Sequence, residues 1–233
     1  FFIIFVTTTA KKALVVSASR GLGLGLEERL SEDGWDVTAT VRDSGNVPAA
    51  LTATGAKVEA LEMTQLESMD ALAQRLQQQR FDLLFINAGV SGPAGYNTDQ
   101  ASDAEIGELF VINAVAPIRL AQRLADNVAD GGAIAFMSSV LGSVAMPEGS
   151  SMALYKASKA ALNSMTNTFV TELARPGLTV LAMHPGWVKT DMGGEGASLD
   201  VATSPRGLVD VITGQLGKGG LQFLDYRGER IDW

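Results

Sequence analysis

Seven short apolar runs recur along the chain, at residues 13–16, 35–41, 57–61, 81–86, 133–137, 178–183 and 221–224. They are too short for ordinary helices and several are rich in β-branched residues, so each reads as a strand. Helical patterns fall between most of them, at residues 26–30, 66–79, 104–128, 208–216 and in a helix that starts after residue 151. Strands alternating with helices predict βαβ units and a parallel sheet. The expected class is α/β: a doubly wound, mostly seven-stranded parallel sheet, flanked by helices on both faces. The stretch at residues 104–128 is one long helix or two abutting ones with Pro117 as the candidate joint, and Pro176-Gly177 stops the helix that starts after residue 151. Residues 193–204 are rich in Gly and Ser without strong periodicity and read as a mobile segment.

Composition removes several functions. A chain of 233 residues with 46% hydrophobic side chains suits one domain with a sizeable core. The net charge of −8 and the lack of a basic stripe argue against nucleic acid as a partner. With no cysteine and a single histidine, His184, there is no thiolate metal site, no Cys nucleophile and no multi-histidine centre. The apolar run at residues 1–6 is far below the roughly 20 residues that span a bilayer, and no basic region precedes it. No membrane partner and a cytoplasmic location are expected. Residues 1–11 are left out of the fold argument as an uncertain N-terminal extension.

The polar residues gather where strands end. Ser17, Arg42, Asn87, Ser139 and His184 each follow an apolar run, and in an open parallel sheet the ligand lies outside those carboxyl ends. After the first strand comes a glycine-rich turn, Gly21-Leu22-Gly23-Leu24-Gly25, leading into a helix. In that context backbone amides at a helix N-terminus can hold a phosphate, although tight turns need glycine for steric reasons alone. Tyr155 and Lys159 are four residues apart on a helical pattern and so share one face. A cation beside a phenol favours the phenolate, which is what proton exchange near neutrality requires. A solvated Tyr-Lys pair on a helix surface is the bland alternative. His184 reads as a structural residue, and Glu27, Glu28, Asp126 and Asp130 read as solvated helix faces.

Together these motifs resemble the short-chain dehydrogenase/reductase family, from about residue 12 to residue 233. The tail at residues 223–233 and the run His184-Pro185-Gly186-Trp187-Val188-Lys189-Thr190-Asp191-Met192 look most like its C-factor and sniffer-like carbonyl reductase branch. The matching motifs are the Tyr-x-x-x-Lys of Tyr155 and Lys159, the Asn87-Ala88-Gly89 turn, Ser139 in the place of the catalytic serine, and Asn113 in that of the catalytic asparagine. The resemblance implies a single NAD(P)-binding Rossmann domain over residues 1–233. It implies a cofactor held by Ser17, Ser19, Arg20, Gly21, Leu22, Gly23, Arg42, Glu62, Met63, Asn87, Ala88, Gly89, Tyr155, Lys159, Pro185, Gly186, Val188 and Thr190. NADP(H) is favoured over NAD(H), because the second strand ends at Arg42 with Arg20 in the glycine loop and two guanidinium groups suit a 2′-phosphate. Asp43, if it paired with Arg42, would weaken that reading.

Two positions depart from the family pattern. Ser17 stands where the nucleotide loop usually has its first glycine, so a side chain there crowds the pyrophosphate or strains the turn. Glu62 stands where the family usually has Asp near the adenine. The implied reaction is hydride transfer between NADPH and a ketone or aldehyde. Tyr155 is the proton donor, Lys159 supports the phenol, Ser139 bonds the carbonyl oxygen and Asn113 holds a relay water. Ser138 is the rival for the serine role. The partner is then a small carbonyl or alcohol molecule, and family members are often dimers or tetramers through long helices. A dinucleotide-binding signalling protein with little turnover is the competing function, to which Ser17 gives some room. A sugar-nucleotide epimerase would need a larger substrate region.

Overall fold

The computed structural model describes residues 9–93, 98–146 and 152–233; the N-terminal apolar run and the end of the expected loop at residues 142–151 lie largely outside them. Seven strands form one parallel sheet: β1 (Lys12–Val16), β2 (Asp36–Val41), β3 (Lys57–Ala60), β4 (Phe81–Ile86), β5 (Val128–Met137), β6 (Thr179–His184) and β7 (Gly220–Asp225). Their order is β3-β2-β1-β4-β5-β6-β7, with every neighbouring pair parallel. The order reverses between β1 and β4. That switch point is where an open α/β sheet leaves a crevice for a ligand.

Side-chain alternation along the strands divides the core in two. Leu14, Val16, Leu84, Ile86, Ile134 and Phe136 face one side, where they meet Leu72, Leu76, Leu120, Leu162 and Phe169. Ala13, Val15, Val37, Ala39, Leu83, Phe85 and Leu181 face the other and meet Leu26, Leu30, Leu51, Leu208 and Ile212. The helices on the first face are α3 (Leu66–Leu76), α5 (Ala116–Leu124) and α6 (Ala153–Leu173). Those on the second are α1 (Gly21–Glu32), α2 (Ala49–Ala53) and α7 (Thr203–Gln215). Helix α4 (Asp103–Phe110) opens with a reciprocal capping box between Ser102 and Glu105.

The structure changes several local expectations. Helix α1 starts at Gly21, so the glycines belong to its first turns and do not form a turn ahead of it. The joint in the stretch at residues 104–128 is a π-helical turn, Val111–Val115, with Pro117 seated harmlessly in the first turn of α5. Residues 193–204 are ordered. Leu199 bonds Trp187 and Lys189 through the backbone, Asp200 accepts from the Thr203 N–H, and α7 begins at Thr203, five residues before the expected start. Glu27 is not solvated: it is fully buried, with one carboxylate oxygen accepting from Ser31 at 2.7 Å. Burial pushes its carboxyl pKa up. Among the described residues no helix is long and apolar enough to cross a membrane.

Candidate active site

The first strand delivers its end to the switch point through Ser17. This residue adopts φ +63°, in the left-handed region that a side chain disfavours by about 1–2 kcal/mol. Three contacts hold it there. Its N–H donates to Thr40 Oγ1 at 3.0 Å, its carbonyl accepts from Asn87 Nδ2 at 3.3 Å, and its hydroxyl lies 4.0 Å from Met63 Sδ. The serine is therefore over-determined by neighbouring strands, which is how a strained backbone persists. Its hydroxyl is directed to Met63.

Gly23, in the first turn of α1, explains itself by close approach. A Cβ there would lie 2.1 Å from the Ser17 carbonyl oxygen and 2.6 Å from Asn87 Nδ2. Ser19 is half-buried in the loop, and half-buried Leu22 packs on the second core face. No side chain caps α1, and its first turn carries no acidic residue. The positive end of the helix dipole is thus left for an anionic group, which is what a dinucleotide pyrophosphate would need there.

The two arginines differ. Arg42 is exposed just past β2 and makes no ion pair among the described residues. Asp43 does not pair with it: its carboxylate accepts from the Gly45 N–H at 2.9 Å and shapes its own turn. Arg20 pairs with Asp191 across the mouth of the crevice, so a phosphate that reaches Arg20 competes with that carboxylate. Glu62 is half-buried and uses one oxygen to accept from the Thr64 N–H and hydroxyl, at 3.1 and 2.9 Å. That carboxylate shapes its own turn, and no contact of it with the switch-point residues is seen.

Beyond β6 the chain folds back on itself. The Pro185 carbonyl accepts from Ser204 Oγ at 2.7 Å, and buried Val188 bridges to Leu199. Thr190 Oγ1 accepts from the Gly193 N–H at 3.1 Å, and Gly186 takes a positive φ with Tyr226 and Leu199 close above it. The methyl of Thr190 would stand 3.7 Å from a Cβ at Gly21, so this loop and the start of α1 face each other.

Helix α6 carries Tyr155 and Lys159 into the carboxyl edge of the sheet. Both are buried, with 8% and 2% of their surface exposed, which removes the surface-pair alternative. Lys159 Nζ donates to the Met137 carbonyl, the last of β5, at 2.9 Å, and lies 5.9 Å from the Tyr155 ring centre. Burial lowers its pKa to about 8, so its charge is less secure than that of an exposed lysine. A Cβ on Gly89 would approach this nitrogen to 3.1 Å, which places the Asn87-Ala88-Gly89 turn against it.

Asn113 lies in the π-helical turn and is fully buried. Its Oδ1 accepts from the Val90 N–H at 2.8 Å, and its Nδ2 donates to the Val90 carbonyl at 2.9 Å and to Ser158 Oγ at 3.0 Å. Both amide hydrogens are committed, so the side chain binds the β4 loop to α6. The two serines separate as well. Ser138 is buried and donates to Asn163 Oδ1 at 2.7 Å. Ser139 Oγ accepts from the Leu141 N–H at 3.2 Å and donates to no acceptor among the described residues. His184 is held neutral, its pKa lowered to about 4 by burial, and its Nδ1 has no partner. Ser158, Asn163, Thr40 and Asp191 are contributors that sequence reasoning missed. Ser158 and Asn163 had a detectable signal, since they share the helix of Tyr155; the other two are joined to the site only by the fold.

The comparisons with known proteins agree with this geometry. Residues 11–198 match the family model for short chain dehydrogenases. The C-signal of Myxococcus xanthus is 34% identical over 167 residues, which covers 71% of this chain and all of that protein. A short-chain dehydrogenase/reductase from Burkholderia multivorans, solved with NADP bound, superposes with a TM-score of 0.92 at 38% identity, covering 97% of this chain and all of the other. A carbonyl reductase from Pseudomonas aeruginosa in complex with NADP gives 0.89 at 35% identity, with 97% and 100% covered. The uncapped α1 terminus at the switch point and the buried Tyr155–Lys159 pair therefore belong to a recognised lineage: the chain is a member of the short-chain dehydrogenase/reductase family of oxidoreductases.

Proposed function

We propose that the protein is an NADPH-dependent carbonyl reductase acting on a small ketone or aldehyde, or on the corresponding alcohol in reverse. The observation that carries this reading is the end of β5. Its last carbonyl, on Met137, accepts from Lys159, and two residues later the Ser139 hydroxyl accepts from the Leu141 N–H and donates to no acceptor among the described residues. When bound, the nicotinamide supplies the hydride. The chain's own residues do the rest. Ser139 donates to the substrate oxygen, a contribution on the order of 10²–10³ in rate for an oxyanion-type donor. Tyr155 gives its phenolic proton to the developing alkoxide, and the Lys159 ammonium stabilises the phenolate that remains. A relay water beside Lys159 would rest on the main chain of the π-helical turn, since the Asn113 side chain has no hydrogen left to donate. Arg42 would hold the 2′-phosphate, with Arg20, now paired with Asp191, as the second guanidinium in reach of the crevice mouth. NADP in the Burkholderia and Pseudomonas relatives supports the same cofactor here.

The test is loss of NADPH absorbance over a panel of ketones, aldehydes and quinones. Turnover with at least one class is expected. Tight NADPH binding with no oxidation by any of them would favour the second reading, a dinucleotide-binding signalling protein, to which the likeness to C-signal gives some weight.

A further inference from the structure

Asn163 stands one turn beyond Lys159 on α6, so Tyr155, Lys159 and Asn163 line one helix face. It is 5% exposed and bonds the same short turn at both ends. Its Oδ1 accepts the Ser138 hydroxyl at 2.7 Å, and its Nδ2 donates to the Gly142 carbonyl at 3.2 Å. Between those two anchors lies Ser139, whose hydroxyl accepts the Leu141 N–H inside the 3₁₀ turn Val140–Gly142. The fit is close. A Cβ on Gly142 would come within 2.9 Å of the Lys159 carbonyl carbon and 3.1 Å of Asn163 Nδ2. The turn thus presses directly on the helix backbone at Lys159, and a lone amide clamps it there.

We propose that Asn163 is a positioning residue: its amide sets the height of Ser139 over the Tyr155–Lys159 face. The proposal rests on the carbonyl-reductase reading, in which Ser139 bonds the substrate oxygen. An amide suits the position because one end of the turn offers a hydroxyl proton and the other a carbonyl. Aspartate would match the first and repel the second, and leucine would leave both polar groups buried without partners. Asn163 reaches the substrate only through Ser139, so its effect belongs in the chemical step. A misplacement on the order of 1 Å at a reacting group is enough to cost about 100-fold.

A double-mutant cycle separates this from a merely structural role. Asn163→Ala is expected to lower kcat about 10- to 100-fold, with KM and NADPH affinity changed less than about threefold. In a Ser139→Ala background the same substitution should lower kcat by less than about threefold, because the group it positions is already gone. Ser138→Ala removes one anchor without a large cavity and should reproduce part of the loss, again only when Ser139 is present; it stands in should Asn163→Ala fold poorly. Equal losses with and without Ser139, or full activity in both Asn163→Ala and Ser138→Ala, would overturn the proposal. If Ser139→Ala alone keeps full turnover, the serine assignment itself fails and this proposal falls with it.

Discussion

At the cofactor end of the crevice, Arg20 and Arg42 stand in water; at the reaction end, Tyr155, Lys159 and Asn113 lie almost wholly out of it. Charge in water is screened and cheap to hold, and it acts when a phosphate arrives. Charge out of water is costly, and Lys159 shows the cost as a pKa drawn down to about 8. The reaction end compensates with hydrogen bonds fixed in advance: Lys159 to Met137, Asn113 to Val90 and Ser158, Ser138 to Asn163. The cofactor end is organised by backbone, through Ser17, Gly23 and Asn87. One end waits for its ligand to complete its electrostatics, while the other is complete before the ligand enters.

The largest expected effect follows from removing the buried charge. Lys159→Met keeps the length of the side chain and takes away the desolvated ammonium. Turnover should fall by about 10²–10⁴, the range for proton transfer by a positioned group, while thermal stability is unchanged or higher. A variant that loses stability and keeps turnover would reverse the comparison. The same lysine sets a pH dependence. If the ammonium supports the phenolate as proposed, that support is present below pH about 8 and fades above it, so turnover should decline on the alkaline side near that value. Because the folded pKa lies below the ordinary lysine value of 10.5, the unfolded chain binds more protons between the two. Stability should therefore rise with pH across that window.

An intermediate effect is expected at the wet end. Arg42→Ala should weaken NADPH binding about 10- to 100-fold, as befits one charge-assisted phosphate contact of roughly 1.5–3 kcal/mol, and leave NADH nearly unchanged. Calorimetry with both cofactors measures the ratio. Equal loss for NADPH and NADH would mean that Arg42 supports the fold and does not read the 2′-phosphate.

The smallest effect belongs to Ser17. Ser17→Gly relieves the left-handed strain and should stabilise by ~1 kcal/mol, a shift of about 2–4 °C in Tm for a chain of this size. NADPH affinity should stay within about threefold, because the hydroxyl is directed to Met63. Strong tightening would show that the serine intrudes on the cofactor after all.

Seven apolar runs and their helical spacers disclosed the sheet, because burial on both faces of a parallel sheet leaves an apolar strand whatever surrounds it. The strand-end residues Ser17, Asn87 and Ser139 were legible for the same reason. Other features have no local code. Glycines at residues 21, 23 and 25 read as a turn by propensity, whereas two of them sit in a helix for packing, Gly23 against Ser17 and Asn87 and Gly25 against Pro205 and Val201. The π-helical turn at Asn113 is a register slip that no residue type announces; Pro117 marks the start of α5 just after it. Glu27 looks solvated on a helix wheel and is covered by the fold. The order in residues 193–204 comes from Leu199 reaching Trp187, a contact their Gly-rich composition hides.

The most direct test of the central claim is Tyr155→Phe, with turnover and NADPH binding measured on the same preparation. The account predicts turnover reduced by at least about 100-fold with NADPH affinity retained. Turnover close to that of the parent protein would contradict it, whatever the cofactor result.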